Sequence, residues 1–142
     1  MAQALMGTYN HVIDPKGRMA FPTKLREQLG ENFVITIDPA GCLFAYSAEE
    51  WEIFTDKIKA LTGAAAKAAI RKLYANAVTA EADKQGRILI PQNLREFAGL
   101  EHDVTVIGSL NHAEIWDSKR YAEQEEKFSD EELANALDMI AL

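Results

Sequence analysis

The chain writes one seventeen-residue pattern twice. From Asp14 it reads DPKGRMAFPTKLREQLG, and from Asp83, sixty-nine residues on, it reads DKQGRILIPQNLREFAG. Eight positions are identical: Asp14/Asp83, Gly17/Gly86, Arg18/Arg87, Pro22/Pro91, Leu25/Leu94, Arg26/Arg95, Glu27/Glu96 and Gly30/Gly99. A duplicated unit generally packs against its own copy, because one copy cannot bury its apolar face alone. The 142 residues allow one ordinary domain or two small, mutually dependent halves. Each half alone is near the size at which a core becomes marginal, so a shared core is predicted. The repeat also carries a charged hairpin tip, which suggests a surface that meets something itself repetitive.

Within each copy the local signals alternate between strand and turn. Thr8 to Ile13 is a β-branched and aromatic run that ends in Asp-Pro-Lys-Gly, a turn in which Gly supplies positive φ. Arg18 to Phe21 is predicted as the returning strand. Pro22 marks a helix start, Leu25 and Leu29 share one helical face, and Gly30 stops the helix. Phe33 to Ile37, a turn at Asp38-Pro-Ala-Gly, and Cys42 to Tyr46 complete the unit. The second copy follows the same plan: Val78 to Ala82, Asp83-Lys-Gln-Gly, Arg87 to Ile90, a helix over Pro91 to Ala98, then strands at Val104 to Ile107 and Glu114 to Trp116.

Helices separate and follow the copies. Ser47 with Glu50 predicts a capping box, and Trp51, Phe54, Ile58 and Leu61 recur at helical spacing. Thr62-Gly63 interrupts, and Ala64 to Asn76 forms the second arm of a helical hairpin. A helix over Asp117/Ser118 to Phe128 follows, and Ser129 with Glu132 caps a last one that carries Leu133, Leu137 and Ile140 on a face expected to pack.

Composition excludes several functions. The amino-terminal MAQALMGTYNH lacks a basic region and an adequate apolar stretch, and no run approaches a membrane span, so no leader and a cytoplasmic address are predicted. The single Cys42, beside Leu43, Phe44 and Ala45, is expected to be a small buried hydrophobe. His11, His102 and His112 are scattered without metal-ligand spacing, and neither a phosphate-binding glycine loop nor a nucleophile elbow occurs. An enzyme is not expected.

The net charge of -7 argues at first against a nucleic-acid partner. Its distribution permits one. Residues 1–30 set Lys16, Arg18, Lys24 and Arg26 against Asp14 and Glu27, a balance of +2, whereas residues 118–142 hold seven carboxylates against three basic groups, a balance of -4. A basic face on an acidic body is compatible with these numbers. At the tips, Lys16, Arg18, Lys84 and Arg87 present cations suited to phosphate or to guanine O6 and N7. Asp14 and Asp83 are equally consistent with a turn-shaping role, capping backbone N–H groups or orienting the arginine fork. Arg26 and Arg95, each followed by Glu, are at least as consistent with solvated charge pairs or subunit salt bridges as with ligand contact.

These motifs resemble those of MraZ proteins, bacterial members of the broader AbrB/SpoVT-like swapped-hairpin group. The resemblance covers almost the whole chain: DPKGR at Asp14–Arg18, P-x-x-LRE at Pro22–Glu27, WEIF at Trp51–Phe54, DKQGRILIP at Asp83–Pro91, LRE at Leu94–Glu96, and VIG…EIW between Val106 and Trp116. It implies an α+β fold in which tandem β-β-α-β-β repeats form an intramolecular pseudo-dimeric swapped-hairpin barrel. The implied parts are a first repeat at 5–47, a helical hairpin at 48–75, a second repeat at 76–117 and carboxy-terminal helices at 118–142. It further implies a nucleoid-associated transcriptional repressor that binds short direct repeats of double-stranded promoter DNA in the division and cell-wall gene cluster. Lys16, Arg18, Lys84 and Arg87 would contact DNA, while Asp14, Gly17, Asp83 and Gly86 shape the tips. A closed homo-oligomeric ring is implied, with no cofactor, metal, membrane or small-molecule substrate. One departure is Ala113, where the family pattern commonly has an aromatic residue, which is expected to loosen a small core contact. Two rival readings are a purely structural ring and an antitoxin-like regulator; the second would call for a dedicated toxin-binding tail.

Overall fold

Strand alternation and the two copies of the turn motif generate an antiparallel α+β fold. The computed structural model describes residues 4–140; residues 1–3 of the amino-terminal stretch and 141–142 of the last predicted segment lie outside this range. In chain order the elements are β1 (Thr8–Val12), β2 (Arg18–Ala20), α1 (Thr23–Leu29), β3 (Phe33–Asp38), β4 (Cys42–Tyr46), α2 (Ala48–Lys59) and α3 (Ala64–Ala75). The second half gives β5 (Val78–Ala80), β6 (Arg87–Leu89), α4 (Gln92–Ala98), β7 (Asp103–Gly108), β8 (Ala113–Asp117), α5 (Ser118–Glu126) and α6 (Asp130–Asp138).

The strands choose partners in the other copy. Six form one antiparallel sheet in the order β1-β7-β8-β4-β3-β5, and β2 pairs with β6 in a separate ribbon. The predicted β1–β2 hairpin therefore survives only as its turn and one isolated bridge, Ile13↔Met19. Beyond the bridge the strands part, β1 joining β7 and β2 joining β6. The physical reason is burial. A three-residue returning strand can cover little by itself, whereas the exchanged ribbon turns Met19 and Ile88 into the shared interior, each 1% exposed. Among the described residues β1 and β5 are the two edges of the larger sheet, and its strands do not close into a hydrogen-bonded barrel.

One core serves both copies. It joins Leu25, Leu29, Phe33 and Ile35 from the first with Ile88, Leu94, Val104, Val106 and Ile115 from the second. Ala113, fully buried, stands opposite Ala45 and Gly108 in the sheet. The helical hairpin attaches through rings: Trp51 packs near Tyr46, Phe54 and Tyr74, with centroids 5.9, 5.8 and 5.3 Å away. No described helix is long and apolar enough to cross a membrane.

Several local expectations shift. Pro22 and Pro91 are the N-cap residues of α1 and α4 rather than their first helical residues. Ser47 accepts a bond from the Glu50 N–H, but only Ser129 makes the reciprocal box with its Glu132. Leu61 falls beyond α2 and is exposed. The apolar face of α6 does not pack on this chain, since Leu133 and Leu137 are 48% and 52% exposed; helical periodicity marks a sticky face without saying what covers it.

The shared core makes a direct prediction. Leu94, on α4 of the second copy, is fully buried. Leu94→Ala should cost about 2–5 kcal/mol, and both copies should melt together in one urea transition; two separated transitions would contradict a single core.

Candidate nucleic-acid interface

Each tip is built around one carboxylate. The Asp14 carboxylate accepts from the backbone N–H groups of Lys16 (3.0 Å) and Arg18 (2.8 Å), and its second oxygen accepts from Arg18 Nε at 3.0 Å. Backbone bonds from Gly17 N–H to the Asp14 carbonyl and from Asp14 N–H to the Arg18 carbonyl, both 2.9 Å, close the turn. The second tip repeats this geometry. Asp83 accepts from Gln85 and Arg87 N–H groups at 2.8 and 2.9 Å and from Arg87 Nε at 3.0 Å.

This arrangement sets both charge and direction. The Arg18 backbone N–H, more than any other group, holds the Asp14 carboxyl below its ordinary value, followed among the lowering causes by the Arg18 guanidinium. The Arg87 backbone N–H dominates likewise at Asp83. Ion pairs this exposed contribute little to stability. Their effect is geometric: the bond to Nε fixes each guanidinium plane, and among the described residues the Nη ends have no protein hydrogen-bond partner. Lys16 and Lys84 are exposed on the same turns.

The tips are locked to one another across the repeats. Ile90 N–H donates to the Gly17 carbonyl (2.8 Å), and Phe21 N–H donates to the Gly86 carbonyl (3.2 Å). Arg95 crosses from α4 to the first tip, with Nε donating to the Ile90 carbonyl at 2.9 Å and Nη1 to the Pro15 carbonyl at 3.4 Å. Arg26 lies against Gly86 in the mirrored position. Arg95 is thus a strut of the opposite tip and Arg26 lies beside it, and among the described residues neither makes an ion pair with its flanking glutamate. The structure brings together the predicted tip residues of each repeat, and joins the two tips through the β2–β6 ribbon, in which Arg18↔Leu89, Met19↔Ile88 and Ala20↔Arg87 are opposed. The placement of Arg26 and Arg95 carried no signal in the sequence beyond their own repetition.

The histidines do not gather. His11 stands opposite Val104 on β1, its pKa lowered by burial, His102 pairs with Asp103, and His112 bonds Glu114. A second cluster was not anticipated: Asp38, Cys42 and Glu114 place one potential ligand atom each within 4.8 Å. Every group there already has a partner. Cys42 donates to Asp38 at 3.2 Å, and Glu114 accepts from Trp116 Nε1 at 2.9 Å. Burial, then the Asp38 and Glu114 charges, pushes the Cys42 thiol far up, and pushes the Tyr46 hydroxyl up to about 12. Cys42 is fully buried as expected, but within a polar network rather than a purely apolar one.

Two predictions follow the tip geometry. Gly17 and Gly86 have φ of +90° and +77°. A Cβ on Gly17 would lie 2.6 Å from the Ile90 carbonyl oxygen and 2.8 Å from Arg95 Nε, whereas on Gly86 it would meet only the flexible end of Arg26, at 3.1 Å. Both alanine variants should carry backbone strain of roughly 1–3 kcal/mol, with Gly17→Ala losing more stability in urea titrations. The aspartates act through pH. Their folded pKa values lie below the unfolded 3.8, so their stabilisation is fully present above that value and vanishes as pH falls through the folded value. The Asp14→Asn/Asp83→Asn double variant should therefore show a flatter fall in melting temperature than wild type between about pH 5 and about pH 2.

Similarity to known proteins agrees with this repeat structure. A family described as "MraZ protein, putative antitoxin-like" matches the chain twice, over residues 4–72 and 73–140. Among curated relatives, "Transcriptional regulator MraZ" of Caldicellulosiruptor saccharolyticus is 43% identical over 142 residues, covering 97% of this chain and 99% of that protein. The protein of that name from Acetivibrio thermocellus is 45% identical over 140 residues, covering 96% and 98%. That from Heliobacterium modesticaldum is 50% identical over 136 residues, covering 93% and 95%. With both halves matched and relatives aligned nearly end to end, the chain belongs to the MraZ family.

Proposed function

We propose that this chain is a sequence-specific double-stranded DNA-binding transcriptional regulator that represses by occupying short direct repeats in the promoter of the division and cell-wall gene cluster. The observation that carries the reading is the pair of carboxylate-oriented arginines, Arg18 and Arg87, set on one cross-repeat ribbon and flanked by exposed Lys16 and Lys84. A two-stranded ribbon fits the major groove, where a guanidinium can take guanine O6 and N7 while lysines neutralise phosphate. The names of the relatives, each a transcriptional regulator, support the same reading.

Self-association reconciles this role with the net charge of -7. One subunit offers few cations on an acidic body. In a closed homo-oligomeric ring, identical tips add their attraction for one duplex, and rotation around a ring suits direct repeats better than a single two-fold does. The cross-repeat strand pairing, with both copies held in one chain, supports the swapped-hairpin arrangement of the AbrB/SpoVT-like group, without a closed hydrogen-bonded barrel among the described residues. The division into repeats at 5–47 and 76–117, a hairpin at 48–75 and carboxy-terminal helices at 118–142 belongs to the same proposal. So do the cytoplasmic, nucleoid-associated location and the absence of catalysis and cofactor from the role.

Binding to the promoter of the cluster is the test, measured by anisotropy against unrelated duplex across a salt series. Arg18→Ala should weaken specific binding roughly 5- to 150-fold and leave the scattering mass unchanged. Lys16→Ala should weaken all duplexes alike and lower the salt slope by about one per bound subunit. Unchanged affinity of Arg18→Ala at fixed salt overturns the assignment.

A further inference from the structure

The β2–β6 ribbon exposes more than its arginines. Alternation directs Met19 and Ile88 inward and leaves Arg18, Ala20, Arg87 and Leu89 on the outer face. The register opposes Arg18 to Leu89 and Ala20 to Arg87, so the outer face is a block of four in which the cations occupy one diagonal and apolar side chains the other. Leu89 is 56% exposed. An exposed leucine alone signifies nothing; its place does, because it stands directly opposite an arginine whose plane is fixed by Asp14. In the major groove an arginine matches guanine, and an apolar side chain matches the C5-methyl of thymine.

Resting on the DNA-binding reading above, we propose that Leu89 is a specificity-determining residue that reads a thymine C5-methyl group beside the base pair taken by Arg18. Ala20, its counterpart next to Arg87, carries a single methyl group and reaches less far from the ribbon than Leu89 does. The ribbon is otherwise close to two-fold symmetric: its register is centred on Met19↔Ile88, and both tips share the same carboxylate geometry. A symmetric reader would see an inverted sequence. The inequality of Leu89 and Ala20 adds to the offset of Lys16, two residues after Asp14, from Lys84, one after Asp83. Together they give each subunit a direction along the duplex, and a directional unit is what tandem direct repeats require.

The test begins with a duplex selected from a randomised library by the full chain. Each thymine is then replaced singly by uracil, which removes only the methyl group, and affinity is measured at fixed salt. Wild type should lose about three- to fivefold at one thymine of the repeated unit, the scale of one buried methyl group. Leu89→Ala should be indifferent to uracil there while keeping the wild-type salt slope, and Ala20→Leu should acquire sensitivity at a second thymine on the opposite side. A flat uracil scan with wild-type protein, which needs no variant, overturns the inference and leaves the DNA-binding reading standing; so does a Leu89→Ala variant with undiminished sensitivity. If wild type enriches no duplex, the DNA-binding reading itself fails and this inference with it.

Discussion

The reciprocal exchange of backbone bonds between the two tips organises the molecule. Gly17 offers its carbonyl to Ile90, Gly86 offers its own to Phe21, and the β2–β6 ladder runs between them. These bonds compel β1 and β5 to leave their local partners and pair across the repeats with β7 and β3. The common core is a consequence, because Met19 and Ile88 fill it only when the ribbon is exchanged. The helices α1 and α4 then sit where Arg26 and Arg95 can cross to the opposite turn. Loss of the exchange would leave each half with a short strand and an incompletely buried face.

The tip carboxylates show how one side chain serves folding and presentation together. One oxygen of Asp14 is occupied by two backbone N–H groups, which fixes the turn, and the other holds Arg18 Nε, which fixes a plane. A guanidinium whose orientation is set beforehand loses less entropy on meeting a planar acceptor. The same carboxylate also lowers the positive charge of the tip, so what it adds to the arginine is a fixed direction.

What could be read from the chain follows from the range of each interaction. Turns, caps and helix limits are local, and Asp14-Pro-Lys-Gly, Pro22, Gly30 and Ser129 announced them. Duplication announced the shared interior. Strand partners were less legible: β2 and β6 have three residues each, too few for alternation to name a partner. The crossing of Arg95 escaped because its acceptors are backbone carbonyls, which leave no mark in a sequence. The Asp38–Cys42–Glu114 network escaped because it joins two hairpins far apart in the chain. The α6 periodicity was legible as a helix, but its apolar stripe faces solvent on this chain, since periodicity defines a face and not its neighbour.

Covalent linkage of the two copies has a consequence for how the fold responds to dilution. Interlocked halves on separate polypeptides would come apart as their concentration fell, since the stability of such an obligate pair follows mass action. Here the segment from α2 to α3 tethers them, so each encounter between the halves is intramolecular. The ribbon therefore persists at a few molecules per cell, with no partner molecule needed to hold it together.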